Sequence, residues 1–266
     1  MKIIVVTQED PFYLPIFFRR LFDLAGRPEN TAWLTVAGVV IQLPLGNRSL
    51  RTLIRRMYGL YGPWWFLVKG VGYTWRKLLE GLRRLGLPVR GFGVRWMAAE
   101  AGVPVLEQAD VNTVAFARLV ESQGVDLIVS AAASQIFKAR ILHTPPKGCI
   151  NLHNAPLPRY RGMLPNFWQL YHGEEYSVLT IHEMTERLDK GRIILQRKTR
   201  IEPQMSLEEL IKLTKNANAD ALMDALRMLE DGHAEYTDPP AEKGSYFTFP
   251  TRREVKEFRR RGHRVV

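Results

Sequence analysis

The chain opens on a short apolar run, Met1-Lys2-Ile3-Ile4-Val5-Val6-Thr7, which predicts a buried first strand. Apolar spacing over 14–21 predicts a helix, and 33–43 one long strand or two short ones. Residues 98–102 close a further helix, and 103–106 form a short strand. Asn112 is placed to cap a helix running to Gln123, with Gly124 beyond its end. Residues 127–130 are apolar without alternation, as in a strand covered on both faces. A turn of small residues over 131–137, a helix to Leu142 and a Pro-Pro-Lys-Gly turn then lead into a second apolar run, 148–153. Later, 191–196 reads as a strand, and Ser206-Leu207-Glu208-Glu209 is a capping-box start for a helix to about Leu229. The tail from His233 is polar, with one strand-like piece at 245–250.

Strands and helices that alternate in this way predict an α/β fold, an open and mainly parallel Rossmann-like sheet with helices on both faces. One domain is expected over 1–230, followed by an extension over 231–266. An insert over 47–96 interrupts the domain. It carries Trp64, Trp65, Trp75 and Trp96, alternates basic pairs with apolar runs, and is expected to be broken into short helices by its glycines and Pro63. Three readings of the insert stay open. Residues 50–80 make peripheral contact with a membrane surface, or the aromatics contact nucleic acid, or a helical subdomain buries them while its arginines reach outward.

Charge sharpens the picture. The 266 residues carry a net charge of +11, unevenly placed. Between Arg48 and Arg95 lie eleven basic residues and one acid, and 251–266 contributes a further +5, so the remaining chain is slightly acidic. Cys149 is the single cysteine and sits in an apolar run, which reads as a small core residue in a reducing compartment. The first run is too short for a secretory signal, and no run approaches the ~20 residues of a spanning helix. A cytoplasmic location is expected, with the membrane surface open to it through the insert.

Candidate chemistry concentrates between Gly148 and Gly191. Asn151 and His153 are two apart on one strand and so share a face. A later turn delivers Asp189. An amide, an imidazole and a carboxylate brought together suit attack on a carbonyl: the amide steadies an oxyanion, the imidazole moves a proton, and the carboxylate sets the imidazole's charge. His182, alternating with apolar neighbours, reads as a packed and hydrogen-bonded residue. His143, His172, His233 and His263 read as surface residues, and no spacing suggests a metal site. Arg159 and Arg161 either meet an anionic substrate or are merely solvated. The turn after the first strand, Gln8-Glu9-Asp10-Pro11, is acidic and lacks the glycines that cradle phosphate.

Four pieces in order carry a resemblance: Asn151-Leu152-His153, Leu157-Pro158-Arg159-Tyr160-Arg161-Gly162, Thr180-Ile181-His182 and Leu188-Asp189-Lys190-Gly191. Together they resemble the folate-dependent formyltransferases, most specifically over 148–196. The resemblance implies 10-formyltetrahydrofolate as formyl donor, with no metal. It implies Asn151, His153 and Asp189 as the catalytic residues. It places the pterin against Ser134, Gln135, Ile136, Phe137 and Leu142 on one side and Met184, Thr185 and Leu188 on the other. Two positions depart from the family pattern: Ala155 stands where a serine is common, and 131–134 is Ala-Ala-Ala-Ser.

The resemblance implies an amine acceptor. The turn after the first strand argues against glycinamide ribonucleotide. A methionyl-tRNA acceptor is expected to come with a C-terminal barrel domain, for which the ~35 residues after the last helix are too few. An amino sugar, nucleotide- or lipid-linked, is the leading expectation, with aminoacyl-tRNA as the alternative. A non-catalytic, membrane-associated binding module on the same fold is the third reading.

Overall fold

The protein's structure is a computed structural model that describes residues 1–43, 50–89, 91–108, 110–241 and 243–266. The start of the insert, 47–49, lies outside these residues. In chain order, β1 (Lys2–Gln8) leads through α1 (Leu14–Ala25) and the single turn α2 (Pro28–Thr31) to β2 (Thr35–Gln42). Next come α3 (Leu50–Arg84), α4 (Val94–Glu100), β3 (Val105–Leu106), α5 (Val114–Ser122) and β4 (Leu127–Ser130). After these lie α6 (Ala139–Leu142), β5 (Cys149–His153), β6 (Arg161–Gly162) and α7 (Pro165–His172). The chain closes with β7 (Tyr176–Glu183), β8 (Ile193–Arg200), α8 (Leu207–Glu230), β9 (Tyr246–Phe247) and α9 (Arg252–Arg260).

Seven strands make one sheet in the order β3-β2-β1-β4-β5-β7-β8. The five from β3 to β5 are parallel, whereas β7 runs antiparallel to both β5 and β8. The strand order reverses between β1 and β4, the place where open α/β sheets bind ligands beyond their carboxyl ends.

Period-two alternation inside the apolar runs sorts the core onto two faces. Ile3, Val5, Leu127, Val129 and Ile150 point to the face covered by α1, α4 and α8. Ile4, Val6, Ile128 and Cys149 point to the face covered by α5 and α6. Burial pushes the Cys149 thiol up to about 12, which keeps it protonated and inert, in line with its expected place in the core. A third apolar cluster joins α7, the start of α8, the tail and Leu60 of α3.

Three local expectations are corrected. Thr113, not Asn112, caps α5, its hydroxyl accepting from the Phe116 N–H. Asn112 instead braces the 131–137 turn: its Oδ1 accepts from the Lys138 N–H and its Nδ2 donates to the Ile136 carbonyl.

The insert is not a series of short helices. It is two long helical arms that meet at Gly62, whose φ of 77° and ψ of 173° interrupt the helix just before Pro63. Gly59, Gly70, Gly72 and Gly81 stay within the helix, because single glycines weaken a helix by about 1 kcal/mol without ending it. Of the four tryptophans, Trp96 packs against the first core cluster, while Trp64, Trp65 and Trp75 are exposed. Among the described residues no helix is long and apolar enough to cross a membrane.

The polar tail also carries more structure than its one strand-like piece. Thr251 and Glu254 form a capping box that starts α9. Two apolar residues, Val255 and Phe258, anchor this helix in the third cluster. Phe258 is fully buried and stacks on Phe167 at a centroid distance of 4.6 Å. Phe258→Ala is expected to cost about 3–5 kcal/mol, read as a lowered midpoint in urea denaturation.

Candidate active site

β5 presents Asn151 and His153 on one face, and the antiparallel register with β7 sets His182 opposite Asn151 and Thr180 opposite His153. His182 is buried, and its Nδ1–H donates to the Glu183 carbonyl at 2.7 Å. Burial, the largest influence on it, lowers its pKa against the opposing pull of the Glu183 carbonyl and Asp189. With its one proton on Nδ1, Nε2 is left as an acceptor, and the Asn151 Nδ2 lies 3.2 Å away. That contact orients the Asn151 amide and leaves its second N–H to point elsewhere.

Asp189 lies between two imidazoles, with Oδ1 3.8 Å from both His153 Nδ1 and His182 Nε2. Both separations are longer than hydrogen bonds. The other carboxylate oxygen, Oδ2, accepts from the Gly162 N–H at 3.2 Å. His153 Nε2 faces the Tyr160 carbonyl at 3.0 Å, which leaves Nδ1 as the nitrogen turned toward Asp189.

Both backbone partners belong to one loop, and that loop is fastened by the tail. β6 pairs with β9, and the Tyr160 N–H donates to the Ser245 hydroxyl. The Phe247 ring stacks on Trp168 and Tyr160. Gly162, at φ 99°, is tight against this pairing, since a Cβ there would run into the Phe247 carbonyl. Gly191 meets a similar limit on the other side, where a Cβ would run into the Glu183 carbonyl.

The residues expected to hold the pterin fall into three groups. Phe137 and Leu142 are buried in the second core cluster, with Met184 packed against it. Ile136 and Leu188 are exposed apolar side chains, and Thr185 is tied into its own turn through Arg187. Glu186 links the two segments by accepting from the Ala139 N–H. Ser134 and Gln135 both engage Gln42, which accepts from Ser134 and donates to Gln135 at 2.6 Å. What the 131–137 turn offers a ligand is therefore largely backbone. Ala155 is fully buried in the third cluster, where its methyl group meets other apolar side chains.

A cavity of about 1100 Å³ lies against His153, Asn154 and Gly162, and it reaches the turn at Ser134 and Gln135. The inner side of α3 forms one wall, through Met57, Tyr61, Phe66 and Tyr73. Two half-buried tyrosines there, Tyr13 and Tyr61, share a hydroxyl contact of 2.9 Å, and desolvation raises both, Tyr61 to about 12. Lys215 of α8 also lines the cavity and makes no hydrogen bond or ion pair with a described residue. Burial holds its amine below the ordinary lysine range, against the pull of the Asp10 carboxylate. Tertiary structure alone reveals this lysine and the part His182 plays. In the sequence, Lys215 is one more basic residue on a helix, and only the shared alternation of Thr180 and His182 hints at a face.

The fold is a mixed α/β sheet that brings an amide, two imidazoles and a carboxylate together, and comparison with known proteins gives its family. The formyl transferase family profile matches residues 90–226, more than half of the chain, and the protein belongs to that family. It is 40% identical over 153 residues to a methionyl-tRNA formyltransferase of Syntrophus aciditrophicus, covering 58% of this chain and 49% of that protein. The chain thus spans about half the length of the curated relatives it matches. In fold it is similar to a sugar N-formyltransferase from Shewanella sp. FDAARGOS_354, with a TM-score of 0.58 and 17% identity over 93% of this chain and 76% of that one. A phosphoribosylglycinamide formyltransferase from Anaplasma phagocytophilum gives a TM-score of 0.59 and 13% identity, over 93% and 98% of the two chains.

Because burial keeps His182 neutral, the unfolded chain binds more protons than the folded one once pH drops below the free-histidine value of about 6.5. The contribution of His182 is therefore fully present above that value and declines on acidification toward its lowered folded pKa. The urea midpoint is expected to fall as pH drops below about 6.5, and to fall less in His182→Gln. An unchanged slope in the variant would remove His182 as the cause.

Proposed function

We propose that the chain transfers a formyl group from 10-formyltetrahydrofolate to the primary amine of an amino sugar carried on a phosphate-bearing group. The observation that carries this reading is the meeting of Asn151, His153 and Asp189 beside a cavity roomy enough for a small-molecule acceptor. The donor fits the remaining side of the site. The exposed apolar side chains of Ile136 and Leu188 and the backbone of the 131–137 turn would hold a flat ring there. Bound there, the folate supplies the activated formyl carbon.

The chain's own groups supply the rest. The Asn151 N–H left over by His182 is a donor for the oxygen that becomes negative as an amine attacks the formyl carbon. His153, anchored through Nε2 on the Tyr160 carbonyl, turns Nδ1 toward Asp189 and would move a proton on that side. Asp189 is the base positioned to take the proton that the amine must lose, and that proton passes to the folate nitrogen released as its bond to the formyl carbon breaks. Gly162 fixes its second oxygen, so the carboxylate turns one face to the reaction. Lys215, an amine in the cavity with no hydrogen-bonded or ion-paired partner among the described residues, supports an acceptor with a negative group such as a phosphate.

A second reading has its own support. The curated relatives it matches are methionyl-tRNA formyltransferases, and the net charge of +11 suits a nucleic-acid partner. Screening amino sugars and charged methionyl-tRNA for tetrahydrofolate release separates the two. Turnover on charged tRNA with none on any amino sugar would overturn the amino-sugar acceptor. Asn151→Ala and Asp189→Asn are each expected to lower kcat about 100- to 1000-fold. Lys215→Gln is expected to raise the acceptor KM about tenfold or more, with kcat and the folate KM nearly unchanged. Full activity in Asn151→Ala and Asp189→Asn would remove these residues from the chemistry, and no tetrahydrofolate release by the parent chain with either acceptor would leave the fold as a binding module.

A further inference from the structure

Beyond Gly62, α3 turns its cations inward. Lys69 pairs with Glu208 at 2.7 Å and lies over the rings of Phe12, Tyr13 and Tyr61. Arg76 donates to the Pro11 carbonyl and lies over Phe12 and Phe92, while Lys77 reaches Glu9 and Glu80. The opposite side of the same arm is apolar and open. Trp64, Leu67, Val68, Val71, Trp75 and Leu78 follow one another at spacings of one, three or four and form a single helical stripe. They are between 41% and 67% exposed, far above what a core-facing stripe shows. At helical rise the stripe is about 21 Å long. That is a contiguous apolar surface of the kind that marks an interaction site.

The charges around this surface indicate its occupant. At the kink, Arg259 of α9 donates to the Leu60 carbonyl, and Arg252 lies over the Tyr58 ring. These contacts hold the basic helix α9 beside the start of the stripe. Arg51 and Arg55 on the first arm, with Arg253 and Lys256 on α9, are exposed and have no acidic partner among the described residues. Tryptophans beside unpaired cations match the boundary of a bilayer, where indole rings sit at headgroup level and arginines meet lipid phosphates. Cations without acidic partners among the described residues, and a net charge of +11, would oppose burial of the stripe against a second copy of the chain.

We propose that α3 docks the protein on an anionic bilayer surface. The stripe from Trp64 to Leu78 enters the headgroup–acyl boundary, and Arg51, Arg55, Arg253 and Lys256 meet the negative headgroups. Ile54 and Tyr73 both line the cavity and are exposed, so the rim of the cavity lies on the docking helix. Resting on the function proposed above, this favours a lipid-linked over a nucleotide-linked acceptor. Docking itself is independent of that function and is measured without it.

The test is flotation of the full chain with vesicles of equal parts phosphatidylcholine and phosphatidylglycerol at low salt. The chain is expected to float with these vesicles and much less with phosphatidylcholine alone. A Trp64→Ser/Val71→Asp/Trp75→Ser variant is expected to lose binding about tenfold or more while keeping the thermal midpoint of the parent, since the three positions are exposed. Arg253→Glu/Lys256→Glu is expected to weaken binding at low salt and to matter little at high salt. Three outcomes overturn the proposal. The chain stays with the unbound fraction at low salt, or the stripe variant floats as well as the parent. Otherwise, the parent ignores vesicles and forms a dimer that the stripe variant breaks, which makes the stripe a contact between copies.

Discussion

A buried carboxylate needs a hydrogen-bond donor, and the Gly162 N–H that serves Asp189 is held in place by distant parts of the chain. One oxygen takes the Gly162 N–H, and the other faces two imidazoles across equal gaps. The backbone donor can approach only because residue 162 is a glycine, with a positive φ and no Cβ to strike Phe247. That approach in turn needs the β6–β9 pairing, which needs the tail to be held down by Phe247, Val255 and Phe258. A carboxylate on one loop is thus tied to a helix about seventy residues later in the chain.

The second imidazole shows how a packing residue acquires a chemical task. His182 is buried and hydrogen-bonded, as its apolar neighbours imply. Its neutral form nevertheless leaves one nitrogen free to accept, and that nitrogen receives the Asn151 amide. Burial, which disfavours charge, here serves orientation. The same logic makes Lys215 informative, since burial disfavours its charged form and it has no hydrogen-bonded or ion-paired partner among the described residues.

The insert divides its labour between two sides. Its inner side closes the cavity through Tyr61, Phe66 and Tyr73 and is fastened by Lys69 to Glu208 and by Arg76 to the turn after β1. That acidic turn, unsuited to phosphate, has a structural role: Asp10 caps the backbone at Phe12 and Tyr13, and Glu9 meets Lys77. The outer side carries the exposed tryptophans. The cavity wall and the exposed tryptophan stripe are therefore two sides of one helix.

Local chemistry determined much of this protein. Apolar runs of four to seven residues dictate the central strands, because a strand buried on both faces has no polar side to show. The capping box at Ser206 starts α8 wherever the rest of the chain lies. The spacing of Asn151 and His153 places both on one face, since the side-chain period of a strand is two. Other features depended on partners far away in sequence. Asn112 and Thr113 are equally good caps by composition, and the 131–137 turn takes the first while α5 takes the second. α9 was hidden because only two of its residues are apolar, and those two matter only beside Phe167. The β5–β7 register brought His182 to Asn151, and no local pattern specifies how two antiparallel strands align. The sequence alone thus named the amide, the imidazole and the carboxylate. Tertiary structure supplied the second imidazole, the loop that holds the carboxylate and the outward face of the insert, because each requires knowing which distant surface a residue meets.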